Sequence, residues 1–243
     1  MSMVQQIKQE IDPNIRTEES YENPFISTVE CHPIWESKFL INILNGRFGI
    51  SDYRLIFSQY QFYNKRFLQL LSILMSKCRD SNQIKLILQN VYEELGEGDD
   101  DQNHATIYKN FLTEALSIGD LEKITEIDAS NKFVDDYMNL CIRSSVGECA
   151  SILAFATEGI VSRMYKIFKT GLMKAGLDET DLDFFTLHIE CDDGHAEDLE
   201  KVAKIHINNK SSEQRCLDAV THALNIRNTY FESLNNIITG AGK

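Results

Sequence analysis

The segment FFTLHIECDDGHAEDL places His188, Asp192 and His195 at intervals of four and three residues. On a helix turning about 100° per residue those offsets fall at roughly 0°, 40° and −20°, so two imidazoles and a carboxylate share one stripe and can converge on a single ion. Asp193, one residue further round, is expected to face solvent. The alternative is a satisfied core network, and three donors in register beside bulky Phe184, Phe185 and Leu187 favour a metal site over it. One stripe supplies too few ligands for a redox metal, so other helices must contribute acids or histidines. Glu158, in SILAFATEGIVSRMY, is the only acid between Cys149 and Leu177. A carboxylate among small and apolar residues is costly to bury unless it is paired, for which Arg163 is the local candidate, or bound to a metal. In NVYEELGEGDDDQNHATIYKNFL, Glu93 and Glu94 end one helix and His104 opens the next. Ile84, Leu86, Ile87, Val91 and Leu95 sketch the apolar side, and Glu94 lies nearer to it than Glu93, although periodicity does not decide between them. Glu97 and the acidic run 99–101 read as a solvated loop.

Glu94, His104, Glu158, His188, Asp192 and His195 together offer three carboxylates and three neutral imidazoles. Two iron(II) ions would bring four positive charges against three negative ones, leaving a nearly neutral site that can be buried, with coordination positions open for O2 and a substrate. This nitrogen and oxygen donor mix suits iron, manganese or a mixed pair more than structural zinc, which takes four closed ligands that are often thiolates. Ferritin-like proteins use two Glu-x-x-His pairs, and this chain has neither. His206 shares the stripe of His188 but stands 11 residues beyond His195, about 16 Å along the axis, too far for the same ions. His32 and His222 have no such companions.

The elements that must hold these residues are helical. The chain has 243 residues, 43% of them hydrophobic, enough for a sizeable core. It has only 3 Pro, all before position 34, and 12 Gly, against average usage of about 5% and 7%, so long helices are permitted from Ile34 onward. Apolar residues recur at three and four through 34–45, 52–78, 82–95, 104–118, 131–145, 148–174, 180–207 and 212–238, with a short piece near 120–127. Nothing alternates as a strand would. The expectation is an all-α single domain of seven to eight helices over residues 25–243, preceded by a polar, loosely held arm over 1–24. A net charge of −13 argues against nucleic acid and anionic membrane surfaces as partners. No signal-like start and no apolar run of about 18 residues is present, and six scattered cysteines lack CxxC or disulfide spacing. A soluble, cytoplasmic protein with reduced thiols is expected.

The residues in YEELGEGDDDQNH, FATEGIV and HIECDDGH resemble the haem-oxygenase-like di-iron oxidases and oxygenases. That superfamily shares its bundle with the thiaminase-type TenA proteins, the pyrroloquinoline-quinone synthase PqqC and the chlamydial protein associating with death domains. Its di-iron branch has a Glu before a helix break followed by a His, a lone Glu on a middle helix, then His-x3-Asp-x2-His. The resemblance covers roughly residues 30–235 and implies that Glu94, His104, Glu158, His188, Asp192 and His195 hold two irons. The loop before His104 varies in length in the family, which makes Glu97 the rival of Glu94. The tyrosine that the chlamydial relative consumes has no counterpart in WESKFLINILNG.

The resulting expectation is a non-haem di-iron oxidase or oxygenase that uses O2 to oxidise a small amino acid, amine or fatty acid. Arg163 is the candidate for a substrate carboxylate, against a structural salt bridge, and Tyr60, Tyr63 and Phe155 are candidate pocket walls against simple core. An external electron donor and a homodimer are compatible partners. The competing readings are a metal-free TenA- or PqqC-like enzyme and a helical protein-interaction module like the death-domain-associating relative.

Overall fold

The structure, a computed structural model, describes residues 23–191 and 193–241. Side chains are described for all of these except Glu190, Cys191 and Asp193. The expected arm over 1–24 therefore lies outside the described residues except for Asn23 and Pro24, and these begin a helix. Asn23 Oδ1 accepts from Phe25 N at 3.0 Å and Pro24 occupies the first turn, where its missing N–H costs nothing.

All regular structure among the described residues is helical. In chain order the helices are α1 (Pro24–Glu30), α2 (Lys38–Leu44), α3 (Ile50–Asn64), α4 (Phe67–Lys77), α5 (Ser81–Glu94), α6 (His104–Asn110) and α7 (Asp128–Arg143). They continue as α8 (Val146–Ser151), α9 (Val161–Lys174), α10 (Asp183–Cys191), α11 (Asp193–His206) and α12 (Lys210–Thr239). These segments outnumber the seven to eight expected, for local reasons. The segment expected over 52–78 divides at Lys65–Arg66 into α3 and α4. That over 148–174 is interrupted by a π turn, Ile152–Thr157, and a 3-10 turn, Glu158–Ile160. The segment over 104–118 ends in a second π turn, Phe111–Ala115. Apolar periodicity survives such a one-residue insertion almost unchanged, so a hydrophobic pattern does not reveal it. The expected 180–207 helix is described as α10 and α11 on either side of Asp192.

The α12 helix is the spine of the bundle, about 45 Å long at 1.5 Å per residue, and it packs against α1, α2, α7, α8 and the first π turn. A continuous core of buried apolar side chains surrounds it. Its middle is aromatic: Phe57 meets Phe111, Phe168 and Phe185 edge-on at 5.2–5.5 Å between ring centres, the geometry that ring quadrupoles favour. Helix α9 can approach α2 and α3 closely because position 171 is glycine. A Cβ there would stand 2.5 Å from Ile43 Cγ2 and would collide with the Tyr53 hydroxyl. Among the described residues no helix is long and apolar enough to cross a membrane.

Candidate metal centre

Helix α5 ends in a turn that only glycine can make comfortably. Gly96 has φ +80°, and a Cβ on it would collide with the Asp99 carbonyl oxygen. Glu97 follows at φ 54°, with its carbonyl accepting from Tyr92 Oη at 2.6 Å and its side chain exposed. This turn leaves Glu94 on the last turn of α5, facing inward. Asn103 then caps α6, its Oδ1 accepting from Ala105 N at 2.9 Å, so that His104 is the first residue of the new helix. Glu94 Oε1 and His104 Nδ1 stand 3.0 Å apart. The two are not aligned as a hydrogen bond, and Nδ1 is a buried nitrogen without a hydrogen-bond partner.

Helix α10 brings His188 to the same place. Its Nδ1 lies 2.7 Å from the Phe184 carbonyl oxygen, an acceptor only, so Nδ1 carries the proton and Nε2 keeps its lone pair. Burial, reinforced by His104, lowers the His188 pKa to about 4 against the opposing pull of Glu94 and the Phe184 carbonyl. The imidazole is therefore neutral at pH 7. Rings of His104 and His188 stand 4.6 Å apart, and those of His104 and His195 6.2 Å. On α11, His195 is 6% exposed, with Nδ1 3.7 Å from Glu94 Oε1 and Nε2 2.6 Å from Glu93 Oε2.

Glu158 arrives by a different device. The π turn bulges the chain just before it, with Thr157 Oγ1 donating to the Ile152 carbonyl at 3.2 Å, and the carboxylate lies 5% exposed on the 3-10 turn. π insertions of this kind recur at functional sites. Donor atoms of Glu94, His104 and His188 all lie within 4.8 Å of one another, and so do those of Glu94, Glu158 and His195. Glu94 belongs to both triads.

Five of the six expected ligands are thus brought together from five elements of the fold. Asp192 lies outside the described residues. Between the two rivals, Glu94 is in the cluster and Glu97 is on the exposed loop, because the left-handed turn at Gly96 directs it outward. Arg163 is placed with Glu30 and Trp35, its Nη1 2.8 Å from Glu30 Oε2 and its guanidinium 4.0 Å over the Trp35 ring, an arrangement of the kind the salt-bridge alternative describes. Tyr60 and Tyr63 line the cavity beside the cluster, whereas Phe155 stacks on Phe25 at 4.7 Å. His206 is held by Gln83, 3.2 Å from its Nε2, and His32 by Asn225. Glu93, which periodicity does not separate from Glu94, reaches His195. Its only signal was adjacency to Glu94, since a side chain at the helix end can reach a neighbouring helix whatever its phase.

The donor set fits a cation. Glu94 lies at the C-terminal, negative end of α5, where the helix dipole disfavours a carboxylate. Burial also opposes its charge, yet its pKa is lowered because His104, His188 and His195 surround it. Two buried carboxylates with Glu93 beside them, against imidazoles of which His188 is neutral, leave negative charge that a bound divalent ion would neutralise.

A haem-oxygenase-like family profile described as iron-containing redox enzymes matches residues 54–228. The chain belongs to this family of iron-containing redox enzymes. Among curated relatives of this redox family, 4-chloro-allylglycine synthase of Streptantibioticus cattleyicolor is 22% identical over 233 residues, spanning 96% of this chain and 88% of that protein. Among solved structures, a CADD-like protein of unknown function from Nostoc punctiforme shares the fold with a TM-score of 0.71 at 13% identity, covering 96% of this chain and 97% of that one. A TenA homologue from Pseudomonas syringae does so with 0.68 at 14% identity over 87% and 90%. The haem-oxygenase-like, CADD- and TenA-related fold expected from the sequence is the fold observed.

Glu93 offers a test of how this redox enzyme holds its histidine. If its carboxylate fixes the His195 ring, Glu93→Gln should weaken iron(II) binding about 10–100-fold while the helical circular dichroism is kept. Competition with a chelator measures this. Unchanged affinity would make the contact peripheral, and complete loss would make Glu93 a ligand.

Proposed function

We propose that the protein is a non-haem di-iron oxidase or oxygenase that uses O2 to oxidise a small organic molecule. The observation that carries this reading is the pair of donor triads sharing one carboxylate: Glu94, His104 and His188 would hold one ion, Glu94, Glu158 and His195 the other, with Asp192 as the remaining ligand. Iron bound there would supply O2 reduction and substrate oxidation. The protein's own groups set the conditions for it. His188 presents a fixed lone pair because Phe184 holds its proton, and Glu93 orients His195. Tyr165 and Phe184, whose rings lie 5.5 and 4.3 Å from that of His188, exclude water from one side. A cavity of about 120 Å³ opens beside the cluster between α3, α6, α9, α10 and α12, room for a small molecule. The 4-chloro-allylglycine synthase relative is named for a substituted glycine, and that similarity favours an amino acid over an amine or a fatty acid.

Anaerobic reconstitution tests the reading. Close to two iron(II) per chain should bind, and admission of O2 should consume it in a metal-dependent way. One stoichiometric zinc in place of iron would overturn the di-iron assignment, and no bound metal would overturn it in favour of a metal-free relative of the same bundle.

A further inference from the structure

We propose that Arg227 is a carboxylate-recognition residue, so that the molecule reaching the metal centre is a small aliphatic carboxylate. What happens to that molecule rests on the function proposed above. The groups that would bind it line the same cavity as the metal centre.

Arg227, on α12, is 1% exposed and lines the cavity that Glu94, Glu158 and His188 also line. No carboxylate among the described residues pairs with it. Its Nη1 donates to Tyr60 Oη at 2.7 Å and its Nη2 to Tyr63 Oη at 3.0 Å, and Nε is a buried donor without a partner. Buried guanidinium groups are ordinarily matched to an anion, because removing the charge from water costs more than neutral acceptors return. The faces of Tyr63, Phe133 and Tyr137, 4.8–5.5 Å from its Cζ, offset part of that cost and leave the charge uncancelled.

Neighbouring groups have the same polarity. Both phenols accept from Arg227, so each keeps its own proton to donate. Asn64 Nδ2, on the same cavity wall, is a second buried donor without a partner. Lys65 stands exposed on the cavity lining. Arg227, Asn64 and Lys65 thus bring donors and positive charge to a cavity whose lining also carries the carboxylates Glu94 and Glu158. The planar fork of arginine matches a carboxylate. Leu68, Val161 and Met164 supply the apolar remainder of the lining, which suits an aliphatic body. Glu94, Glu158 and His188 line the same cavity as Arg227, so a molecule anchored at Arg227 shares the space beside the metal centre.

The test uses hexanoate and L-norleucine, each beside its primary amide, with the metal-free and the iron(II)-loaded protein under anaerobic conditions. Thermal shift and calorimetry should show each acid binding roughly 10–100-fold tighter than its amide, the range expected for a charge-assisted hydrogen bond, whether or not iron is present. Arg227→Gln should bind acid and amide equally. Should Arg227→Gln not fold, Tyr63→Phe, which removes the hydroxyl that orients Nη2, should shrink the preference. Equal binding of acid and amide by the wild type, a preference that survives Arg227→Gln, one that appears only with iron, or no acid binding at all would each overturn the proposal. Acid selectivity in a protein that takes up no iron would instead overturn the di-iron reading and leave this one standing.

Discussion

Replacing His188 by alanine should abolish stable iron(II) binding while leaving the bundle folded. Its Nε2 is the one imidazole nitrogen at the site whose availability is fixed by a backbone partner, since Phe184 O accepts the other proton at 2.7 Å. Loss of an outer partner of a metal ligand costs about 10–100-fold in affinity, and loss of the ligand itself should cost more. Glu94→Ala should be at least as severe, because Glu94 belongs to both donor triads. Two controls share residue type and sequence neighbourhood but not position: Glu97→Ala, on the exposed loop, and His206→Ala, held by Gln83. Both should bind iron like the wild type. Iron per chain after gel filtration, with circular dichroism on the same samples, reads all four. If Glu97→Ala also lost iron, or His188→Ala kept it, the ligand assignment would fail.

The same histidine should make the metal-free protein sensitive to mild acid. Burial, with His104 beside it, holds His188 at about 4 in the folded protein, against about 6.5 in the unfolded chain. A lower folded-state value means that the unfolded chain takes up the proton first as pH falls. The neutral ring's contribution to stability is therefore fully present above pH 6.5 and is lost as pH drops toward 4. That difference corresponds to roughly 3 kcal/mol at its fullest extent. Chemical denaturation of chelator-treated protein between pH 7 and 4.5 should show a decline that His188→Gln flattens. Equal slopes in the two proteins would place the acid response elsewhere.

Much of this was already present in the linear chain, for a definable reason. Helical phase is a local property, so the intervals 188–195 were enough to put two histidines on one stripe, and apolar recurrence at three and four, with no proline after position 33 to interrupt it, pointed to an all-helical fold. Glu158 was legible because a single acid in an apolar run has few explanations. Other features depend on contacts between segments far apart in sequence. Periodicity could not separate Glu94 from Glu93 and Glu97, since all three lie at a helix end where the backbone leaves its regular path. The left-handed turn at Gly96 decides that Glu94 faces His104 while Glu97 faces solvent. The π turn before Glu158 is likewise invisible to a hydrophobic pattern that one extra residue barely shifts. Arg163 and Arg227 show the contrast most sharply. Arg163 stands five residues from Glu158 and suggested a role by proximity, yet Glu30 and Trp35 claim it. Arg227 stands far from every motif in the chain, and only the tertiary fold brings its side chain to Tyr60 and Tyr63 at the wall of the cavity. Which helix faces a residue meets depends on the packing of the whole bundle, and local sequence does not encode that.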